Sequence, residues 1–368
     1  MTFPRFRLLA GFAAAGALAL TAAADQKPAA LTSREQALHV LNRLGFGPRP
    51  GDIDRVLAMG VGAYVEQQLH PSRIPDGPVE ARLAGLRTLG LSNAELVAQF
   101  EIPLREARKR LKAEKASMGA NAEITNSDAD AADLAKLGAL IPPESRPRRI
   151  LEDLTQERLL LAAGSERQLN EVMVDFWMNH FNVYANKGLD RIFIASFERD
   201  TVRPHIWGRF EDLLLATARS PAMLVYLDNA RSVADEEHRP AGFPRARGAG
   251  ARGPSGLNEN YARELMELHT LGVDGGYTQR DVTELARVLT GWSIGAPRAE
   301  RAGMALRPGR ASRQEPEEPG SFVFRARLHD AGEKTVLGRR FPSGGGIEEG
   351  EAALRLLARE PATARHLA

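Results

Sequence analysis

The chain has 368 residues, 43% of them hydrophobic and 26% charged, a globular balance with room for a sizeable core. It has no cysteine, which excludes disulfides, a thiolate nucleophile and cysteine-ligated zinc. Its 49 basic residues nearly match its 47 acidic ones, so charge gives no support for nucleic acid as a partner.

Arg5 and Arg7 precede an apolar run, Leu8 to Leu20, and Ala22 and Ala24 make a small-x-small pattern before Asp25. This is the layout of a secretory signal peptide, residues 1–24, cleaved after Ala24. The apolar run is short for a membrane span. The mature chain loses two arginines and no acid, and becomes formally neutral. It is expected in the periplasm or outside the cell, with no membrane span and no lipid-modified cysteine.

Residues 33–46 begin as a helix, with Ser33 as its cap and Ala37, Leu38, Val40, Leu41 and Leu44 as its apolar stripe. Two short helices follow, 52–59 and 61–69, split by Gly60 and ended by His70-Pro71. Residues 93–117 include a charged amphipathic helix. Residues 118–147, rich in Ala, Asn, Asp and Pro, are expected to be a flexible, disordered insert with one helical turn.

From Leu151 the pattern is densely helical: 151–163, 167–182, 189–202, 207–218 and 221–228. Residues 231–257 break it with five Arg, five Gly and three Pro, the composition of a disordered loop. Helices resume at 259–271 and 279–290, the second opened by a Thr278/Asp281 capping pattern. A second polar loop covers 297–320. Ser321–Arg325 and Thr335–Phe341 flank His329–Lys334 and predict a small hairpin. A helix over 348–359 and another from Ala362 close the chain. That last helix is still running at Ala368, so a C-terminally truncated chain is expected. The fold class is therefore mainly α, a single multi-helix domain over residues 25–368 with a minor hairpin near 321–341.

Three stretches carry chemistry. On the 258–272 helix, Glu259, Arg263 and Glu267 share one side, with Asn260 and Glu264 beside them, and His269 sits in the apolar arc. A solvated face explains the acids; a catalytic role for Glu264, Glu267 and His269 is the sharper alternative. On the 167–182 helix, apolar residues cover most of the wheel, and the narrow polar stripe is Gln168, Glu171, Asp175, Asn179 and Asn182, with His180 on the apolar side. Such a helix is buried. Glu171 and Asp175, one turn apart with like charge, need a metal ion, a proton or an arginine between them. The third is His329-Asp330, read either as metal ligands or as a turn Asp beside an exposed His. No serine-hydrolase elbow, phosphate-binding loop, HExxH or dinucleotide-binding pattern is present.

The segments LNRLGFGPRPGDIDRVLAMG (41–60), EVMVDFWMNHFNV (171–183), SPAMLVYLDN (220–229) with NENYARELMELHTLGVDGGYTQRDVTELARVLTGW (258–292), and HDAGEKTVLGRRF (329–341) occur in that order. Together they resemble the bacterial "domain of unknown function 1800" family over nearly the whole mature chain. The family pattern includes Trp177, Asn179, His180, Asn258, Glu259, Asn260, Arg263, Glu264, Glu267, His269, Thr290, Gly291, Trp292, His329 and Asp330. The resemblance implies export, and a gene neighbour of the sulfatase-like DUF1501 type as a partner. It implies no established reaction. The long loop over 231–257 and a missing final helix are the departures.

Two functions remain open at this point. One is a metal-dependent, hydrolase-like exported enzyme with its site where the 167–182 and 258–271 helices meet. Glu171, Asp175, His329 and Asp330 would hold a divalent metal, and Glu264, Glu267, His269 and His180 would act as acid–base groups. The other is a non-catalytic binding or assembly protein acting with the sulfatase-like partner, its motif residues forming buried hydrogen-bond networks.

Overall fold

A computed structural model of the protein describes residues 31–117, 131–238, 256–295 and 317–368. Residues 1–30, where the signal peptide is expected, and parts of the three inserts lie outside the described residues. The sequence reading takes 25–368 together; packing divides the chain at His70–Pro71 into two compact units.

The first unit holds three helices, Ser33–Leu44, Asp52–Met59 and Val61–Gln68, around Ala37, Val40, Leu41, Val56 and Tyr64. The first helix is capped by Thr32, not Ser33: Thr32 and Glu35 satisfy each other's backbone N–H in a capping box. Asp52 starts the second helix and accepts from Arg49 Nε at 3.0 Å and Arg55 Nη2 at 3.1 Å.

The second unit is mainly α, as expected. Its helices include Arg148–Gly164, Gln168–His180, Asp190–Ser196, Phe210–Arg219, Pro221–Tyr226, Asn260–Glu267, Gln279–Val288, Ile347–Arg359 and Pro361–Leu367. They surround one large core that includes Phe100, Ile150, Phe181, Leu214, Tyr261 and Trp292. Two elements widen into π-turns, at Val97–Glu101 and Phe197–Val202. Each runs into a proline, Pro103 or Pro204. A proline has no N–H for the carbonyl four residues back, and its ring crowds that carbonyl, so the wider turn relieves both. Part of the first insert is ordered: Ala131–Leu140 is a helix.

Strand pairing differs from the single hairpin expected at 321–341. β1 (Trp292–Ile294) pairs antiparallel with β2 (Phe322–Phe324), and β3 (Lys334–Val336) pairs with β4 (Arg339–Phe341). The second pair closes on itself through Leu337 (φ 49°) and Gly338 (φ 76°), the two left-handed residues of a two-residue turn that matches strand twist. β2 then needs another partner and finds Trp292–Ile294 across the third insert, 297–320. Three residues are too few for period-two alternation to register, so β1 was invisible in the sequence.

Trp292 is fully buried and lies across the start of the Ile347–Arg359 helix, where a Cβ on Gly350 would come within 2.3 Å of its ring. Gly350→Ala is therefore expected to destabilise the protein by about 3 kcal/mol through overpacking. Urea denaturation checks this, and a change within about 0.5 kcal/mol, the range of an indifferent surface site, would show that the indole can move aside.

Candidate functional site

The polar stripe of the Gln168–His180 helix faces arginines. Glu171 pairs with Arg203 (2.9 Å) and Asp175 with Arg158. Both arginines also hold Glu198, at 2.6 Å from Arg203 and 3.2 Å from Arg158, and the Glu198 side chain is 1% exposed. The π-turn carries Glu198 and delivers Arg203 just after it. Glu157 flanks this network; burial, then the Glu198 charge, pushes its carboxyl up to about 7. Glu171 and Asp175 thus neutralise guanidinium groups, and the shared metal position expected from their spacing is not formed. Asn179, exposed, lines a small cavity of about 260 Å³ with Asn182, Arg158 and Thr155.

The histidines do meet. His180 Nε2 lies 3.0 Å from the carbonyl oxygen of His269, and His366 Nε2 lies 3.1 Å from that of Leu268. A carbonyl can only accept, so both rings donate from Nε2 to the free carbonyls just past the Asn260–Glu267 helix, a capping role. Trp177, Phe176, Phe181 and Phe210 surround His180. His269 is 5% exposed, and burial, aided by the neighbouring His180, pushes it down to about 3.

Glu264 and Glu267 stand apart from these histidines' ring nitrogens, and neither carboxylate has a hydrogen-bond or ion-pair partner among the described residues. Burial and then the Glu267 charge raise Glu264. Glu259 is a tie between helices rather than a solvated group. It accepts from Gln279 Nε2 (2.8 Å) and Thr283 Oγ1 (2.7 Å), and Arg263 reaches both it and Gln279. Asn258 anchors the helix entry, donating to Leu227 O and accepting from the Asn260 N–H; the Asn260 side chain is exposed.

His329 and Asp330 are the largest surprise. They are 2% and 0% exposed, not a turn Asp beside an exposed His. Arg287 grips Asp330 with two bonds, Nε to Oδ2 at 2.7 Å and Nη2 to Oδ1 at 3.2 Å, and also holds Glu284 at 3.0 Å. His329 Nδ1 donates to the Thr290 carbonyl at 2.9 Å, and the Thr290 hydroxyl accepts from the Asp330 N–H at 2.8 Å. Behind them Lys334, fully buried, pairs with Glu349 at 2.7 Å, and His329 Nε2 lies 3.3 Å from the same carboxylate. Burial alone would raise Glu349; its bonds to His329 and Lys334 outweigh burial and hold it below the usual range.

Residues 232–235 complete the cluster. Gly291 donates to Ser232 O and Ala234 donates to Leu328 O, so this segment is laid between the Thr290-Gly291 turn and the approach to His329. Gly291 has φ 79°, and a Cβ there would meet the Arg325 carbonyl at 2.7 Å. Asp235 Oδ1 accepts from both His238 N–H and His238 Nδ1, the latter at 2.7 Å, and the same Nδ1 lies 3.8 Å from Asp330 Oδ2. Asp235, His238 and Asp330 each offer one donor atom within 4.8 Å of the others. Ligands around a tetrahedral ion with bonds near 2.0–2.2 Å sit roughly 3.3–3.6 Å apart. The 3.8 Å contact needs almost no adjustment, and the 2.7 Å one must open by about 0.6–0.9 Å.

The family model described as "Protein of unknown function (DUF1800)" matches residues 39–368. The chain belongs to the DUF1800 family. No curated protein and no solved structure matches it. The DUF1800 motif residues thus divide into separate places: His180 and His269 at a helix end, Glu259 and Arg263 between two helices, and Thr290, His329 and Asp330 in the buried cluster, while the metal candidates Glu171 and Asp175 lie in the arginine network. The sequence reading missed Asp235 and His238 because they lie in a stretch whose average composition is that of a loop. Their i, i+3 spacing was the available signal. Glu284, Arg287, Lys334 and Glu349 carried none beyond their charge.

Two outcomes test this assignment of roles. Arg203→Met leaves Glu171 and half of Glu198 without a partner, and a loss of about 3 kcal/mol is expected; a neutral substitution in a thermal melt would mean the network is hydrated. The second concerns acid. His269 is neutral in the folded protein down to about pH 3, whereas the unfolded chain takes up its proton near 6.5. The unfolded state then binds the extra proton, so stability falls as pH drops from 6.5 towards 3, by up to about 1.4 kcal/mol per unit. His269→Phe should flatten that limb by one proton, and an unchanged slope would show that His269 titrates normally.

Proposed function

We propose that this DUF1800 chain is an exported, divalent-cation-dependent enzyme of the hydrolase type, with its ion at Asp235, His238 and Asp330. The observation that carries the reading is the convergence of these three donors beside Arg287. Arg287 is ion-paired with Asp330 and Glu284, and its charge also acts on Asp235; three carboxylates against one guanidinium leave two negative charges for a doubly charged ion to balance. The Lys334–Glu349 pair is neutral by itself. One imidazole among two carboxylates suits a borderline ion such as zinc or manganese. His238 is partly exposed and Asp330 is buried, so the ion would rest on protein on one side and keep an open position on the other, as catalytic sites do. A cation in such a position activates water and polarises a carbonyl or phosphoryl oxygen. Arg287 fixes the Asp330 carboxylate by both oxygens, an outer contact of the kind that orients ligands.

The enzyme site moves, in this reading, from the junction of the 167–182 and 258–271 helices to the far end of the Gln279–Val288 helix. Export rests on the Arg5–Ala24 pattern. Among the described residues no helix is long and apolar enough to cross a membrane.

A second reading, a non-catalytic binding or assembly protein working with an exported sulfatase-like partner, draws on the structural use of His180, Glu171 and Glu259. Calorimetric titration with zinc and with manganese separates the two. The enzyme reading expects binding of about one ion per chain, weakened roughly 100-fold in His238→Ala and in Asp235→Asn, both partly exposed positions that spare the Arg287–Asp330 pair. Absence of binding by the unsubstituted protein would leave the assembly reading.

A further inference from the structure

The Arg148–Gly164 helix, the end of the Gln168–His180 helix and the Asp190–Ser196 helix meet around the cavity of about 260 Å³ that Asn179 lines. Its walls include Leu154, Val183 and Ile194, all buried. Its polar lining is largely without partners. Neither the Asn179 nor the Asn182 carboxamide has a hydrogen-bond partner among the described residues. Arg158 is held by its two terminal nitrogens, on Glu198 and Asp175, which leaves its Nε–H. Thr155 donates its hydroxyl proton to the Leu151 carbonyl at 2.7 Å, so its oxygen can still accept. The Gln168–His180 helix also ends here. The Phe181 N–H closes on Trp177 O, and no backbone N–H among the described residues reaches the carbonyls of Met178 and Asn179.

An apolar wall with a few convergent polar groups is the general make-up of a small-molecule site. The volume lies just under the range of about 300–1,000 Å³ that serves drug-sized ligands, which leaves room for a single ring. The polar groups say which kind. The carboxamide N–H groups and Arg158 Nε–H need acceptors, whereas the carboxamide oxygens, Thr155 Oγ1 and the two carbonyls need donors. An ammonium group offers donors only and meets the Arg158 guanidinium. A carboxylate or phosphate offers acceptors only and meets surplus negative charge, because Glu171, Asp175 and Glu198 outnumber Arg158 and Arg203. A hydroxyl both donates and accepts, and it is neutral. A ring that carries several hydroxyls also brings a C–H face to the apolar wall.

We propose that this cavity binds a neutral polyhydroxylated ring of the pyranose class, held by Asn179, Asn182, Thr155 and Arg158 against Leu154, Val183 and Ile194. The site shares no residue with the Asp235–His238–Asp330 position and does not depend on it. A peptide group is the competitor, since it too donates and accepts. It brings only one N–H and one carbonyl to a site that has more groups than that to satisfy.

The test is saturation-transfer NMR on the purified protein, with methyl pyranosides of the gluco, galacto and manno series and with N-acetylglycinamide as the peptide-group probe. Transfer to at least one pyranoside is expected. Binding should be about tenfold weaker in Asn179→Ala and in Asn182→Ala, the loss of a hydrogen bond or two. Both side chains are exposed, and melting curves check that both variants stay folded. Should either fail to fold, Thr155→Val, at another exposed position, takes its place. No transfer to any of the pyranosides would overturn the proposal. So would transfer that the variants leave unchanged, or transfer to N-acetylglycinamide alone.

Discussion

The two-pronged grip of Arg287 on Asp330 is the constraint around which the C-terminal part of the chain is arranged. Both groups are removed from water, and each alone would be strongly unfavourable there. Arg287 comes from the Gln279–Val288 helix and Asp330 from the approach to β3, so their pairing fixes one element against the other. The consequences spread outward. Thr290 can receive the Asp330 N–H only if the helix ends where it does, Gly291 must then turn in the left-handed region, and Trp292 is delivered onto Gly350. Residues 232–235 dock against that same turn and bring Asp235 and His238, both partly exposed, up to the buried Asp330. The candidate cation position is thus a by-product of one ion pair being placed correctly.

Charge is handled differently in the arginine network around Glu198. There four carboxylates, Glu157, Glu171, Asp175 and Glu198, face two guanidinium groups, Arg158 and Arg203. Raising Glu157, a partly buried group that can hold a proton near neutrality, takes up one of the two surplus charges. With at most one charge left over and Glu171, Asp175 and Glu198 each on an arginine, this arrangement has less use for a metal than one that leaves two charges on fixed donors. This is the physical ground for preferring Asp235, His238 and Asp330 over Glu171 and Asp175.

Much of the fold was legible in the sequence because apolar periodicity reports burial directly. The Arg148–Gly164, Gln168–His180, Gln279–Val288 and Ile347–Arg359 helices fall within a few residues of their expected spans. The near-complete apolar wheel of 167–182 implied burial, which holds only in part: Val174 and Phe181 are buried, Leu169, Val172, Met173, Trp177 and Met178 are half-buried and Phe176 is exposed; the like-charged pair on its stripe correctly implied a counter-charge. What a wheel cannot give is the partner's identity. Arg158 and Arg203 lie on other elements, one of them beyond a π-turn that only Pro204 hints at. The DUF1800 pattern pointed at His329 and Asp330 without saying that they are buried, since two polar residues in a Gly-containing stretch look like a turn. Asp235 and His238 were hidden for the opposite reason: Val233 and Ala234 bury themselves by backbone pairing to Gly256 and Leu328, a contact with no signature in composition.

The central claim is that a doubly charged ion belongs between Asp235, His238 and Asp330. Anomalous diffraction from crystals soaked in manganese tests it most directly. The account predicts a peak about 2.0–2.4 Å from one donor atom of each of the three residues, with Arg287 still gripping Asp330. A map with no peak there, or with manganese held instead by Glu171 and Asp175, would contradict it.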